Sequence, residues 1–152
     1  MDKEFFVQAI EQSGPALFRI AYTLLRNTDD CRDALQETAL KAWEKRRTLR
    51  SEDRFFAWAA RILVNECRNI QRKRSRALPL DWAPEPAAPP PDISLAVILQ
   101  SLPEKYRLPL VMQVSEGMSY QEIARALGLS EPTVRGRIHR AKEQLRKELE
   151  AK

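Results

Sequence analysis

The residues of this chain best suited to chemistry are arranged for binding and not for bond making. The stretch SYQEIARALGLSEPTVRGRIHRAKEQLRKEL, residues 119–149, carries the densest pattern. Ser119-x-x-Glu122 is a capping box, in which hydroxyl and carboxylate satisfy the free N–H groups of a helix start. Ile123, Ala124 and Leu127 then face a core, and Gly128 falls where that helix must end in a left-handed residue. Ser130 caps a second helix, with Glu131 favouring its positive end. Val134, Ile138, Ala141, Leu145 and Leu149 make the inner stripe of that helix. Two short helices joined by a Gly-containing turn, the second one basic, predict a helix-turn-helix. At about 100° per residue, the opposite face carries Gly136, His139, Arg140 and Glu143, with Thr133 at its leading edge and Arg135 and Arg137 on the flanks. Such a face suits a major groove: Thr133 and Arg140 reach base edges, Gly136 permits close approach, and the flanking arginines meet phosphates. The expected duplex-reading set is Ser130, Thr133, Arg135, Gly136, Arg137, His139 and Arg140. A helical hairpin with a solvated basic face is the bland alternative. The combination of capping box, turn glycine, stripe and arginines favours DNA.

A second constellation lies upstream. Residues 68–76, RNIQRKRSR, hold five basic side chains and no acid. Alone, such a run is as readily a solvated charge patch. It follows, however, the aromatic set Phe55, Phe56 and Trp58 and the polar loop Ser51, Glu52, Asp53, Arg54. Rings beside cations are what unstacked bases and their backbone need, although at least one of Phe55 and Trp58 lies on a core stripe. Asn65 and Asn69, one turn apart, share a face with Arg68 and Arg72 adjacent; amides hydrogen-bond base edges and guanidinium groups hold phosphate.

Catalysis has little to work with. One histidine, His139, and two cysteines, Cys31 and Cys67, cannot supply a four-ligand zinc site, and no organic cofactor or metal is expected. A hydrolase using Asp29, Asp30 and Asp33 is conceivable, but acids at a helix start are favoured anyway. The expectation is no catalytic residue and no enzyme.

The elements that must position these groups are helical. The chain has 152 residues, with 26 basic against 21 acidic side chains, net charge +5, and four glycines. No apolar run is long enough to cross a membrane. The opening MDKEFFVQAIEQ lacks the apolar core of a signal peptide, so a reduced, cytoplasmic protein is expected. Spacing predicts helices over 2–12, Ala16 to Leu25, 29–47, 53–72, Leu95 to Leu102 and 104–115, with Pro109 a candidate bend in the last. Residues 79–93, PLDWAPEPAAPPPDI, hold six of the ten prolines and three acids with no base; they read as an extended linker. The fold class is therefore all-α: two small helical domains, 1–78 and 94–152, joined by a Pro-rich linker at 79–93.

At this point the chain resembles the bacterial extracytoplasmic-function sigma factors of the sigma-70 family, the two-domain specificity subunits of RNA polymerase. TDDCRDALQETALKAWEKR resembles the family's polymerase-binding helix, and FFAWAARILVNECRNIQRKR its promoter-melting and −10-reading helix. The stretch from LPEKYRLPLVMQVSEGM through the helix-turn-helix resembles its −35-reading domain. The resemblance implies that Asp33, Gln36 and Glu37 grip the clamp helices of the polymerase β′ subunit, with Trp43 in the core, and that the C-terminal domain meets the β flap. It implies that Ser51, Glu52, Asp53 and Arg54 form the loop that takes a flipped non-template base. Asn65, Arg68, Asn69 and Arg72 then read the −10 element, and helix 131–145 the −35 element. It implies a linker threading the polymerase near the RNA path, and an anti-sigma factor as a further partner. Where many relatives have Gly-Thr-Val, this chain has Pro132-Thr133-Val134. The rival reading is a helix-turn-helix regulator that acts without replacing a sigma subunit. It leaves the aromatic-basic N-terminal block without a role.

Overall fold

The computed structural model describes residues 1–77 and 99–150. Among them lie six α-helices and three short 3-10 turns, and no strand. The expected linker, together with Leu95 and Ile98, lies outside the described residues.

The first three helices pack pairwise against one another as a bundle. Asp2 accepts the Phe5 N–H at 2.8 Å and starts α1, Lys3–Leu25. The expected gap between two helices at residues 13–15 does not exist: α1 runs through Pro15. A proline forfeits one ladder bond, and here packing at both ends outweighs that loss, since Phe6 on one side and Leu17, Ile20, Ala21, Tyr22, Leu24 and Leu25 on the other are buried. Arg26 closes the helix in a left-handed conformation, φ 52°. Asn27 then accepts the Asp30 N–H at 2.9 Å and opens α2, Thr28–Glu44. The helix stops short of the expected end at 47, and a 3-10 turn, Arg46–Thr48, follows. A second turn, Glu52–Arg54, leads into α3, Phe55–Ala77. Thus Asp53 belongs to the turn, and α3 runs beyond the expected end at 72.

The C-terminal half opens with a 3-10 turn, Leu99–Ser101, where a helix from 95 to 102 was expected. Buried Arg107 braces it, donating to the carbonyls of Gln100 at 3.3 Å and Leu102 at 3.2 Å. It belongs to α4, Glu104–Val114, which contains Pro109. The capping box at Ser119 and Glu122 is present in both directions, at 3.1 and 2.9 Å, and starts α5, Tyr120–Leu127. Gly128 ends it at φ 67°, a backbone state that side chains with a Cβ rarely adopt. The Ser130 hydroxyl accepts the Thr133 N–H at 3.3 Å and caps α6, Glu131–Glu150. Of the expected stripe, Val134, Ile138 and Ala141 are buried and Leu145 is half-buried, whereas Leu149 is 71% exposed. The last turns of α6 simply outrun the helices they would pack on.

The two halves are docked together. The helix α3 packs on α1 and α2 with one side and on α5 with another, while α1 also touches α4. One continuous apolar cluster runs through both halves.

Candidate nucleic-acid and polymerase interface

The helix-turn-helix presents its expected outer face. Thr133, Arg135, Gly136, His139 and Arg140 are exposed, and nothing approaches within 4 Å of a Cβ built on Gly136. The Arg140 guanidinium donates to the Tyr106 hydroxyl on α4 at 3.4 Å, which holds that phenol below its usual range. The Arg135 guanidinium lies 5.2 Å from the Tyr120 ring centre, a cation–π contact that aims it along one flank. His139 Nε2 sits 3.2 Å from Glu143 Oε1, an ion pair only when the imidazole is protonated. Ser130 and Thr133 share a hydroxyl contact at 2.8 Å. Arg137 departs from the set: it is half-buried and lines a groove with Arg68, Glu104 and Leu127.

In the N-terminal half, the loop Ser51, Glu52, Asp53, Arg54 is exposed throughout. The Ser51 hydroxyl donates to the Asp53 carboxylate and holds its pKa below the ordinary value. Phe55 is core, with Phe5, Phe6 and Trp58 around it. Phe56 instead lines a cavity of about 280 Å³ with Phe5, Gln8, Gln12, Glu52 and Asp53, directly against the loop. That is a ring and amides beside a polar loop, a set able to stack and hydrogen-bond an extruded base.

Asn65, Arg68 and Arg72 are exposed on α3 and Asn69 is half-buried, with its carbonyl oxygen taking a bond from Arg72. The loop and these residues do not coincide. Asn65 lies ten residues beyond Phe55, about 15 Å along the helix. A strand would have to run along α3 to touch both. The basic run is only partly solvated: Arg74 pairs with Asp30 and donates to the Leu25 carbonyl at 3.4 Å, tying α3 to the α1–α2 junction.

Asp33, Gln36 and Glu37 are exposed on one face of α2. A groove of about 800 Å³ between α2 and α3 joins them to Asn69, Arg72 and Arg76. So the acidic face and the basic face, separate in sequence, are walls of one cleft. Leu40, one turn beyond Glu37, is 58% exposed on the same face. Periodicity alone put Leu40 neither in the core stripe nor among the polar candidates, so an apolar residue on an otherwise charged face was the signal. Trp43 is half-buried against Phe6 at 5.1 Å, with the Arg46 guanidinium 3.9 Å from its ring centre.

A three-helix unit carrying a charged cleft, followed by a helix-turn-helix with an exposed basic face, defines the class of helical DNA-binding transcription proteins. Residues 9–77 match the family described as Sigma-70 region 2, and residues 93–145 that described as Sigma-70, region 4. The chain is 34% identical to the ECF RNA polymerase sigma factor SigE of Mycolicibacterium smegmatis, over 91% of this chain and 59% of that protein. It is 31% identical to the ECF sigma factor SigM of Mycobacterium tuberculosis, over 95% of this chain and 76% of that one. Among solved structures, it superposes on the sigma factor RpoE in complex with the anti-sigma factor NepR from Bartonella quintana. There the TM-score is 0.76 at 27% identity, over 95% of this chain and 96% of that one. It also matches CnrH in complex with the cytosolic domain of CnrY, TM-score 0.72, 28% identity, over 99% and 90%.

The chain therefore belongs to the extracytoplasmic-function sigma factors of the sigma-70 family. It directs RNA polymerase to promoters, binding core polymerase and DNA, and the family is one of initiation factors and not of enzymes. The match over 9–77 sets aside the regulator reading, which gave that half no role. No described helix is long and apolar enough to cross a membrane.

Proposed function

We propose that this sigma factor divides its work among three surfaces. Asp33, Gln36 and Glu37 grip the β′ clamp helices, where an acidic face meets a basic coiled coil. The loop Ser51–Arg54 and its cavity take a flipped non-template base, and Asn65, Arg68, Asn69 and Arg72 hold the separated −10 strand. Ser130, Thr133, Arg135, Gly136, Arg137, His139 and Arg140 read the −35 duplex. In this scheme residues 1–78 and 94–152 act as the two domains, 79–93 as the linker, and the C-terminal domain leans on the β flap. The protein works in the cytoplasm on a stress- or envelope-type regulon under an anti-sigma factor. That partner follows from relatives solved in complex with NepR and CnrY.

The observation that carries this reading is the shared cleft of α2 and α3. A polymerase held on Asp33 and Glu37 stands beside Asn69 and Arg72, so gripping the enzyme and capturing a strand become one event. Unstacking a base costs a few kcal/mol, and the adjacent cations offset part of it. Transcription in vitro with purified core polymerase tests the scheme. Specific initiation is expected only with this protein added, and its loss in a variant carrying Asp33→Lys and Glu37→Lys.

A further inference from the structure

The cavity beside the loop Ser51–Arg54 has two walls, and only one of them is the loop. The other is α1, which contributes Phe5, Gln8, Gln12 and Ser13. Gln8 and Gln12 stand one turn apart, about 6 Å along the axis, and both are exposed. The rings of Phe5, Phe55 and Phe56 belong to the lining. Phe5 meets Phe55 edge-on, with centroids 6.0 Å apart at 88°. The charges of the lining are negative: Glu52 and Asp53 are present, and among the described residues no cation joins them. A wider hollow over the start of α1 shares Phe5, Gln8 and Glu52 and adds Asp2 and Glu4 against Lys3. In a chain of net charge +5 this is an acidic corner. Asp53 keeps its charge, because the Ser51 hydroxyl donates to Oδ1 and holds the carboxyl below its ordinary range. Arg50 and Arg54, exposed on either side of these acids in the chain, are not in the lining.

We infer that α1 supplies a reading wall of this cavity: Gln8 and Gln12, together with Glu52 and Asp53, accept a flipped base that carries an exocyclic amino group and reject thymine. The inference rests on the base-capturing role proposed for the cavity and adds which bases it takes. The two carboxylates repel a phosphate, so it is the base that enters, while its phosphates meet cations outside the lining. An ionised carboxylate only accepts hydrogen bonds. Adenine, cytosine and guanine each offer it an amino group. Thymine offers O4 and O2, acceptors facing acceptors, with N3–H as its single donor. A glutamine amide has an acceptor and two donors, and it complements the rest of the edge. Beside the amino group, cytosine and adenine carry a ring nitrogen that accepts, N3 in the one and N1 in the other. A flipped base is read on this Watson–Crick edge and stacked against rings. A good two-bond contact disfavours the wrong base by about ten- to a hundredfold, and walls as exposed as these place the effect at the lower end.

The test uses holoenzyme formed from the full chain and core polymerase. The template is a promoter that the wild-type holoenzyme selects from randomised DNA, pre-melted across the −10 element. An abasic site is placed at each non-template position in turn. The captured position is the one where this weakens the complex and where Phe56→Ala, which removes a ring of the cavity, abolishes the difference. If no position behaves so, base capture by the cavity fails, and the inference fails with it. At the captured position the four bases are then compared. Thymine is expected to bind about tenfold more weakly than the best of the other three. Thymine binding as well as or better than the others, with the abasic response present, overturns the inference and leaves base capture standing. Asp53→Asn turns one acceptor into a donor, and is expected to improve thymine relative to the others. Gln8→Leu with Gln12→Leu keeps the bulk and removes the amides, and is expected to bring adenine and cytosine down towards thymine. The readout is a ratio between bases on one protein, so a general loss of affinity or of folded fraction cancels. A ratio that neither variant moves overturns the inference as well.

Discussion

Lys41 on α2 donates to the Glu66 carboxylate on α3, and Glu66 is the one buried acid among the described residues of the N-terminal half. The bond holds Lys41 charged to a higher pH than usual. Burial pushes the thiol of Cys31 on α2 from 9.0 up to about 12, and that of Cys67 on α3 upward as well. All three groups bind a proton more tightly in the fold than in the open chain. Their contribution is therefore complete below the unfolded values and lost as pH rises toward the folded ones. Urea midpoints are expected to hold steady up to pH 8 and to fall progressively from pH 9 upward. At neutral pH neither thiol is expected to react with Ellman's reagent until denaturant is added.

Charge reversal at Asp33 and Glu37 touches only exposed positions. It is expected to weaken association with core polymerase by at least tenfold, with circular dichroism unchanged. Leu40→Ala, on the same face, is expected to weaken it to a lesser degree and with little dependence on salt, as an apolar contact does.

The two kinds of arginine on α6 separate by experiment. Arg140→Ala is expected to lose discrimination at particular −35 base pairs by roughly ten- to a hundredfold. Arg135→Ala is expected to weaken binding evenly across sequences and to flatten the salt dependence. Tyr106→Phe removes the oxygen that orients Arg140, and is expected to reproduce a weakened form of the Arg140 effect. Binding to mutated −35 duplexes in polymerase complexes measures all three.

Asn65→Ala with Asn69→Ala is expected to spare closed-complex formation, which the −35 helix and polymerase support, and to reduce strand opening. Permanganate reactivity of unpaired thymines reports this directly, and a pre-melted −10 bubble is expected to restore part of the activity.

The turn of the helix-turn-helix has two separable supports. Ser119→Ala removes one half of the capping box and is expected to cost about 1 kcal/mol. Gly128→Ala forces a Cβ into a left-handed backbone and toward Arg61, and is expected to cost roughly 1 kcal/mol or more. Chemical denaturation measures both.

What the sequence disclosed was local. Ser119, Glu122, Gly128 and Ser130 each act on a partner three or four residues away, so local spacing carries the whole signal. The exposed face of α6 followed from 3.6-residue periodicity. The docking of the halves did not, because nothing in the chain connects Arg19 to Glu116 across 97 residues. A clue was present in FFAWAARILV, apolar on nearly every side apart from Arg61, which marks a helix covered on two faces. It was read as carrying one apolar stripe, and the second covered face was missed. The first helix was split for a different reason: apolar spacing weakens between 12 and 16, and only packing at both ends carries α1 through Pro15.

The covering of α3 also has an order in time. Its sequence ends at Ala77, whereas α5, the helix that lies over it, begins only at Tyr120. At the usual synthesis speed of about 5–20 residues per second, the ribosome takes roughly two to nine seconds to make the stretch between them. During that interval the side of α3 that packs on α5 has no partner. Each newborn molecule thus passes once, before it is complete, through a form in which one covered side of α3 is bare.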